Sequence, residues 1–351
     1  MPPQPVHQKA PDPRHPLYLG KWKSHHKHSS DEGYYDFLDE PHHKRRKTML
    51  AKYPQIAALY GHQPLTALIA VFAVLLQLSV AYYVGKTATQ TNKLFLLALT
   101  YIVGGTVVGI YGVIIHETCH GLVFKKLLSN RLLSMFVNIP MVVPIAMSFR
   151  RYHLEHHQYQ GVIGMDPDLP VQAEIELVSK NPIVKFFWVM CYGIMYMVRG
   201  LNLGKAPSFW ELVNVAWMVA ANIALYFIIG GRGLAYLGLS VFFGYGLHPG
   251  AAHFIQEHYV FVDGQETYSY YGTGNKLYMN IGYHNEHHDF PQPKTSTNPS
   301  TRIALGFCLF SGLFWTVNLA PLPGLCGRIR ATATGAITTL PPKNKLMIVS
   351  T

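Results

Sequence analysis

Eleven of the 19 histidines lie in four short clusters whose spacing suits metal binding. The clusters are His116-Glu-Thr-Cys-His120, His153-Leu-Glu-His156-His157, His284-Asn-Glu-His287-His288, and the looser group of His248, His253 and His258. On a helix, residues i and i+4 share a face, and the residue beside one of them points about 100° away. A helix that carries His-x-x-His-His can therefore offer imidazoles to two metal ions at once.

The first three clusters hold eight histidines, which is more than one metal ion uses. A mononuclear zinc enzyme needs three protein ligands and a water, whereas eight or more imidazoles suit two metals with open positions. Imidazole also binds zinc, copper and nickel, but oxygen chemistry at a non-haem site favours iron. Because burying so many imidazoles without a metal is costly, the sequence predicts a binuclear metal centre.

The first cluster also fits a different class of enzyme. His116-Glu117-Thr-Cys-His120 satisfies the His-Glu-x-x-His pattern of zinc proteases, in which the glutamate is the general base. That interpretation leaves the two His-x-x-His-His clusters without a role. A non-enzymatic metal or lipid sensor is a third interpretation.

The elements that must position these clusters are membrane helices. Charged residues are 13% of the chain, about half the usual share for a soluble protein. The charge-free runs at residues 65–84, 94–115, 212–229 and 234–255, the last broken near Pro249, predict four transmembrane helices. The run at 132–149 contains Pro140 and Pro144, and the run at 186–198 is too short to cross, so both are predicted at the membrane surface or in re-entrant positions. The run at 303–322 is left open, because basic residues follow it.

The basic residues set the predicted orientation. Of the 29 lysines and arginines, 26 fall on one side of this topology, which the positive-inside rule makes cytosolic. Both termini and all four histidine clusters then lie at the cytosolic side. The net charge of +11 is attributed to residues that flank apolar spans, so anionic lipid is favoured and nucleic acid is not expected as a partner.

The ends of the chain differ from its middle in composition. Residues 1–32 are predicted to be a disordered polar tail, 33–64 an N-terminal segment, 65–291 the membrane domain and 292–351 a divergent tail. Eight histidines before residue 65 are interpreted as part of a solvated basic region, with a weak adventitious metal site as the alternative: His7, His15, His25, His26, His28, His42, His43 and His62.

The chain resembles the sphingolipid delta-4 desaturases, a branch of the membrane fatty-acyl desaturase superfamily. The resemblance covers roughly residues 33–291, and the histidine boxes carry it at the level of the superfamily. The more specific motifs are Ala51-Lys-Tyr-Pro-Gln-Ile56, Phe149-Arg-Arg-Tyr-His-Leu-Glu-His-His157, Gly246-Leu-His-Pro249, His253-Phe-Ile-Gln-Glu-His-Tyr259, Glu266-Thr-Tyr-Ser-Tyr-Tyr-Gly272 and Gly282-Tyr-His-Asn-Glu-His-His-Asp-Phe-Pro291.

This resemblance implies an all-α integral membrane protein with about four transmembrane helices, interfacial helices and a cytosolic histidine-rich cap. It implies two iron ions held by His116, His120, His153, His156, His157, His284, His287 and His288, with His253 as a further ligand. His248 and His258 are candidates for which outer hydrogen bonding is equally open.

The resemblance also implies the reaction and its setting. The substrate would be dihydroceramide, O2 the co-substrate, and cytochrome b5 with its NAD(P)H reductase the external electron source. The location would be the endoplasmic reticulum membrane, with several spans and a cytosolic active site. A sphingolipid C4-hydroxylase, or an enzyme with both activities, is the open alternative, because the sequence does not separate hydroxylation from desaturation.

Overall fold

A computed structural model of the chain describes residues 41–87, 92–161, 165–178, 181–258 and 267–291. These residues form helices and connecting turns without a β-strand, so the all-α prediction is confirmed for them. The predictions for residues 1–40 and 292–351, including the apolar run at 303–322, lie outside the described residues.

Twelve α-helices follow one another within those residues. In chain order they are α1 Pro41–Lys52, α2 Leu65–Tyr82, α3 Lys93–Leu99, α4 Thr106–Cys119, α5 Leu127–Asn138, α6 Ala146–Tyr159, α7 Gln172–Leu177, α8 Pro182–Met190, α9 Tyr192–Asn202, α10 Phe209–Gly244, α11 Ala252–Gln256 and α12 His284–Asp289. A π-helical turn, Thr100–Gly105, joins α3 to α4, so that Lys93–Cys119 is one continuous helix.

Three helices among the described residues are long and apolar enough to cross a membrane: Leu65–Lys86, Lys93–Cys119 and Phe209–Gly244. The last bends at Gly230, whose φ of 70° and ψ of 175° suit glycine far better than other residues. It therefore consists of two arms, residues 209–229 and 231–244. These arms correspond to the third and fourth predicted spans.

The second arm ends earlier than predicted. The sequence predicts a span over residues 234–255, whereas α10 ends at Gly244. Just beyond this end, Gly246 passes so close to the main chain of Met190 that a side chain would not fit. Pro249 then starts a separate 3-10 turn that leads into α11.

The two ambiguous apolar runs are helix pairs with sharp bends. Leu127–Met141 meets Ala146–Tyr159 at 118°, and Pro182–Met190 meets Tyr192–Asn202 at 74°. The first bend lies between Pro140 and Pro144, the prolines predicted to interrupt the helix. By length and composition each pair is either a broken span or a re-entrant segment.

Small residues allow the helices to pack closely beneath the histidines. A side chain on Gly244 of α10 would collide with Val108 of α4, and one on Gly104 would collide with Ser240. Close backbone approach at small residues is typical of packed membrane helices. These contacts hold the amino end of α4, about two turns before His116, against the second arm of α10.

Candidate metal centre

The histidine boxes lie on short, well-bounded helical segments at one end of the helix assembly. His116 is in the last turn of α4 and His120 caps that helix; the second box occupies α6 and the third occupies α12. His258 follows α11. The boxes come together from stretches of chain that are up to 171 positions apart, as for the contact between His116 and His287.

Five histidines form a first group, with one ring nitrogen of each close to the others. Its members are His116, His120, His153, His157 and His287. The Nε2 atom of His287 lies 3.0 Å from that of His116 and 2.9 Å from that of His157. The Nε2 atoms of His153 and His120 are 2.9 Å apart.

Four histidines form a second group beside the first. They are His156, His258, His284 and His288, and their ligand atoms lie within 4.8 Å of one another. The Nε2 atom of His258 is 3.0 Å from that of His156 and 2.9 Å from that of His284. The rings of His157 and His288 stack at 4.2 Å and connect the two groups.

The His-x-x-His-His boxes divide their rings between the groups as helical spacing predicts. In α6, His153 and His157 belong to the first group and the intervening His156 to the second. In α12 the assignment is reversed, because His284 and His288 belong to the second group and His287 to the first. Each of these two boxes, in α6 and in α12, therefore contributes to both groups.

The donor set fits two metal ions. Metal–imidazole bonds of about 2.0–2.1 Å at right angles place neighbouring ligand nitrogens roughly 3 Å apart, which is the separation seen here. Burial and the neighbouring imidazoles keep the pKa values of His284 and His288 well below the ordinary value for histidine. Neutral imidazole is the form that binds a metal. A cluster of buried imidazoles whose Nε2 atoms all point inward lacks the protons to pair every lone pair without a metal.

Two family models match the chain. The model described as fatty acid desaturase matches residues 92–317, and the model described as sphingolipid Delta4-desaturase matches residues 34–65. The chain is 43% identical over 260 residues to a sphingolipid delta(4)-desaturase DES1-like protein of Oryza sativa subsp. japonica, covering 74% of this chain and 78% of the relative.

Animal relatives give the same result. The chain is 40% identical to sphingolipid delta(4)-desaturase DES1 of Drosophila melanogaster, covering 77% of this chain and 84% of the relative. It is 38% identical to the DES1 protein of Homo sapiens, with 76% and 82% coverage. The chain belongs to the sphingolipid delta(4)-desaturase family. The resemblance read from the sequence is thereby confirmed, and the fatty acid desaturase match extends past Pro291.

The desaturase places the three remaining candidate histidines differently from the prediction. His258, a weak candidate from sequence, lies in the second group. His253, the preferred candidate, lies in neither group, and its Nδ1 atom lies 2.8 Å from Oε1 of Glu257. His248 also lies outside both groups: its Nδ1 atom accepts the main-chain N–H of Gly250 at 3.0 Å and caps the turn at Pro249.

His253 nevertheless reaches the second group through one residue. The same Glu257 oxygen lies 3.5 Å from Nδ1 of His284. A carboxylate behind an imidazole holds the ring in place and increases its basicity as a ligand. The structure therefore places His253 outside both groups, and its assignment as a ligand stays a prediction. That prediction rested on a last span that continues to residue 255, whereas α10 ends at Gly244.

Asp166 supports the second box in the desaturase and was not predicted. Its Oδ1 atom lies 2.8 Å from Nδ1 of His156, and its Oδ2 atom accepts the N–H of Gly161 at 2.7 Å. A hydrogen bond from Nδ1 to Asp166 leaves Nε2 of His156 free to bind a metal. The available signal was the Asp166-Pro-Asp-Leu-Pro170 segment, an acidic turn soon after the second box.

The N-terminal helix α1 packs behind the third box. His42 is only 4% exposed; its Nδ1 atom lies 2.7 Å from Asp289, and its ring is 4.9 Å from that of His288. Arg45 donates to Asp289 and, at 3.0 Å, to Asn285. The interpretation of His42 as part of a solvated region is therefore wrong, because this histidine is buried against the candidate metal centre.

A second segment holds the third box from another side. Ser269 and Tyr271 both donate hydrogen bonds to Glu286, which lies between the histidines of the box. Thr267 donates to Asn285 at 2.6 Å. The motif that ends at Gly272 thus serves to anchor α12, a role that spacing within the motif does not reveal.

A cavity opens beside both histidine groups. It contains about 1140 Å³ of empty space, part of it open to the surroundings, and its walls include His116 and His153 of the first group and His258 and His284 of the second. Apolar and small residues also line it, including Val113 of α4, Gly244 at the end of α10 and Tyr245 directly after it. An extended alkyl chain can lie along such a wall with one C–C bond beside the histidines.

Proposed function

We propose that this oxidoreductase uses two iron ions and O2 to introduce a trans delta-4 double bond into the sphingoid base of dihydroceramide, giving ceramide. The observation that carries the proposal is the convergence of nine imidazoles in two adjacent groups at the wall of a largely apolar cavity. The delta-4 position is supported by the names of the relatives.

The proposed ligands are the eight box histidines and His258. When bound, the iron pair with O2 supplies oxidising power that an unactivated C–H bond requires and that side-chain acids and bases lack. The overall reaction removes two hydrogen atoms from adjacent carbons. With O2, two electrons and two protons, these hydrogens form two water molecules.

The protein's own part in the reaction is to position the ligands and the substrate. Asp166 holds the ring of His156 from behind, the carboxylate of Glu257 lies 3.5 Å from Nδ1 of His284, and α1 packs against α12. The apolar wall positions the alkyl chain and excludes water from it. Such positioning decides which C–C bond reacts, because all methylenes of the chain have similar intrinsic reactivity.

The zinc-protease interpretation is not favoured by the position of Glu117. This residue is buried, and its Oε1 atom lies 3.8 Å from Nδ1 of His116, the ring nitrogen that points away from the cluster. A general base in a zinc protease must reach the water on the metal, which here would require the Nε2 side. Metal analysis separates the two interpretations, because a desaturase should contain two iron ions per chain and a zinc protease one zinc ion.

Cytochrome b5 and its reductase are the proposed electron source. A basic cytosolic face would suit an acidic electron donor, and Lys125 and Lys126, which follow the first histidine box, are exposed. Arg151 is instead paired with Glu211 at 3.0 Å, and Arg150 donates to the main chain of Cys119. We propose that the exposed lysine pair contacts cytochrome b5. We also propose that the active site lies at the cytosolic side of the endoplasmic reticulum membrane.

Expression in cells that lack a delta-4 desaturase, fed with dihydroceramide and supplied with cytochrome b5, tests the proposal. Lipid mass spectrometry should detect a product that has lost two hydrogens. A product that has gained one oxygen would support the C4-hydroxylase alternative instead, and no product from a well-expressed chain would refute both.

Variants connect that activity to the metal centre. His120→Ala and His157→Ala should abolish product formation while membrane insertion is retained. His62→Ala is the matched control, because His62 is exposed and lies outside both groups. Undiminished product from either cluster variant would refute the assignment.

A further inference from the structure

The cavity beside the histidines has a polar end that the alkyl chain does not explain. Asp168, Tyr192, Tyr196 and Arg199 line it together with Trp188. A site for a hydrocarbon chain alone gains nothing from a carboxylate and two phenols. Polar groups in an otherwise apolar pocket usually fix the orientation of a ligand.

Asp168 is held rigidly at this end. Its main-chain N–H donates to Asp166 at 2.9 Å, and its carbonyl accepts from Arg199 at 2.9 Å. Arg199 is itself buried and fixed by Glu174, with contacts of 2.9 and 2.5 Å. The main chain of Asp168 is thus held by hydrogen bonds at both its N–H and its carbonyl group, which fixes the position from which the side chain extends.

One oxygen of this side chain is left for a ligand. The Oδ1 atom of Asp168 is buried and has no hydrogen-bond partner among the described residues. Its Oδ2 atom lies 3.6 Å from Nδ1 of His156, and the hydroxyl of Tyr196 lies against the carboxylate. A buried carboxylate oxygen without a donor is costly, so a donor brought by the substrate would remove that cost.

We propose that Asp168 accepts a hydrogen bond from the secondary hydroxyl of the sphingoid base and thereby selects the carbon–carbon bond that reacts. This inference rests on the proposed function. A sphingoid base carries that hydroxyl on carbon 3, next to the carbon 4–carbon 5 bond that a delta-4 desaturase attacks. Asp168 lines the cavity together with His258 and His284 of the second group, so a hydroxyl bound to its Oδ1 atom would hold carbon 3 while carbons 4 and 5 lie beside those histidines.

The proposal also fixes the direction in which the lipid would lie in the cavity. The polar head is placed beside Asp168 and Tyr196, and the alkyl chain continues along the wall formed by Val113 and Tyr245. The reacting bond is only one carbon from the polar group, so the polar and apolar ends of the site must both lie against the metal centre. The cavity has this arrangement, since its walls include histidines of both groups.

The test measures the coupling between Asp168 and the hydroxyl. The iron-loaded enzyme in lipid nanodiscs is assayed with dihydroceramide and with its 3-deoxy analogue. In the wild-type chain, loss of the hydroxyl should lower kcat/KM roughly 10- to 100-fold, the effect of losing one hydrogen bond to a charged acceptor. In Asp168→Asn the kcat/KM values for the two substrates should differ by less than about threefold.

The control is Glu176→Gln, the same chemical change at an exposed carboxylate of α7. It should keep the wild-type preference for the hydroxylated lipid. Iron per chain is measured for each variant, because Asp168 lies near His156. If Asp168→Asn loses iron, binding of the two lipids to the iron-free chains is compared by fluorescence of the tryptophans, since Trp188 lines the cavity.

The outcomes separate the inference from the function on which it rests. A wild-type chain that does not desaturate dihydroceramide would overturn the proposed function. An active wild-type chain whose preference for the hydroxyl is equally large in Asp168→Asn, in turnover or in binding, would overturn only the role of Asp168.

Discussion

Arg45 donates from Nε to both carboxylate oxygens of Asp289, at 2.8 Å each, although the two residues are 244 positions apart in the chain. Asp289 is fully buried and follows directly after His288 of the second group. The segment matched by the sphingolipid Delta4-desaturase model thus contributes a residue that fixes the end of α12. The N-terminal segment is therefore part of the support of the candidate metal centre.

Arg45→Ala should weaken that support. Among the described residues, removal of the guanidinium leaves the buried Asp289 with His42 as its remaining side-chain partner, so α12 loses a contact that sets the third box. We expect roughly 10- to 100-fold lower iron affinity or activity, as for other residues that hold metal ligands from behind. Lys47→Ala, an exposed change on the same helix, should leave both values unchanged. Equal iron content and activity in Arg45→Ala and the control would contradict this role.

His258 and His253 should respond differently to the same substitution. His258→Ala removes an imidazole from the group of four, so iron should fall from two toward one per chain and desaturation should be lost. His253→Ala removes only a partner of Glu257, so it should keep two iron ions and most of the activity. Iron analysis of purified chains measures the difference, and the reverse order would restore His253 as the ligand.

Asp166→Asn should lower the affinity of the second group for iron without unfolding the helices. The substitution keeps the side-chain size but removes the charge that holds Nδ1 of His156. We expect a roughly 10- to 100-fold decrease in iron affinity, measured by competition with a chelator. Glu176→Gln again provides the matched control. If Asp166→Asn binds iron as tightly as the wild type does, the carboxylate has no part in positioning the ring.

Local spacing predicted much of the fold and of the site. The i, i+3 and i, i+4 relations within the boxes need only one helical turn, so the sharing of α6 and α12 between two groups follows from sequence. Apolar run lengths predicted the long helices, and Pro140 and Pro144 predicted the bend before α6. These features depend on neighbours in the chain and on elementary helix geometry.

The residues that sequence reasoning missed, or ranked below others, depend on distant contacts. His258 joins the second group after α10 has ended at Gly244 and the chain has passed close to Met190 at Gly246. His42 becomes a buried partner of Asp289 only when α1 packs on α12. Neither contact has a local pattern, and a histidine in a basic stretch resembles a solvated one until its partner is known.

Acidification should release iron, and the direction of this pH dependence follows from the lowered pKa values of the buried histidines. Burial and neighbouring imidazoles keep the pKa values of His284 and His288 well below the ordinary value for histidine in the folded chain. A histidine whose pKa is depressed in the closed site takes up a proton more readily once the site opens. The closed site is therefore favoured when the pH is above the ordinary histidine pKa, and opening is favoured when the pH falls below that value. For histidine that ordinary value is about 6.5. Iron per chain after dialysis should therefore be stable at pH 7.5 and decrease progressively below about pH 6.5, with a steeper decrease in Asp166→Asn than in Glu176→Gln. Iron content that stays constant down to about pH 5 would show that protons do not compete with the metal for these imidazoles.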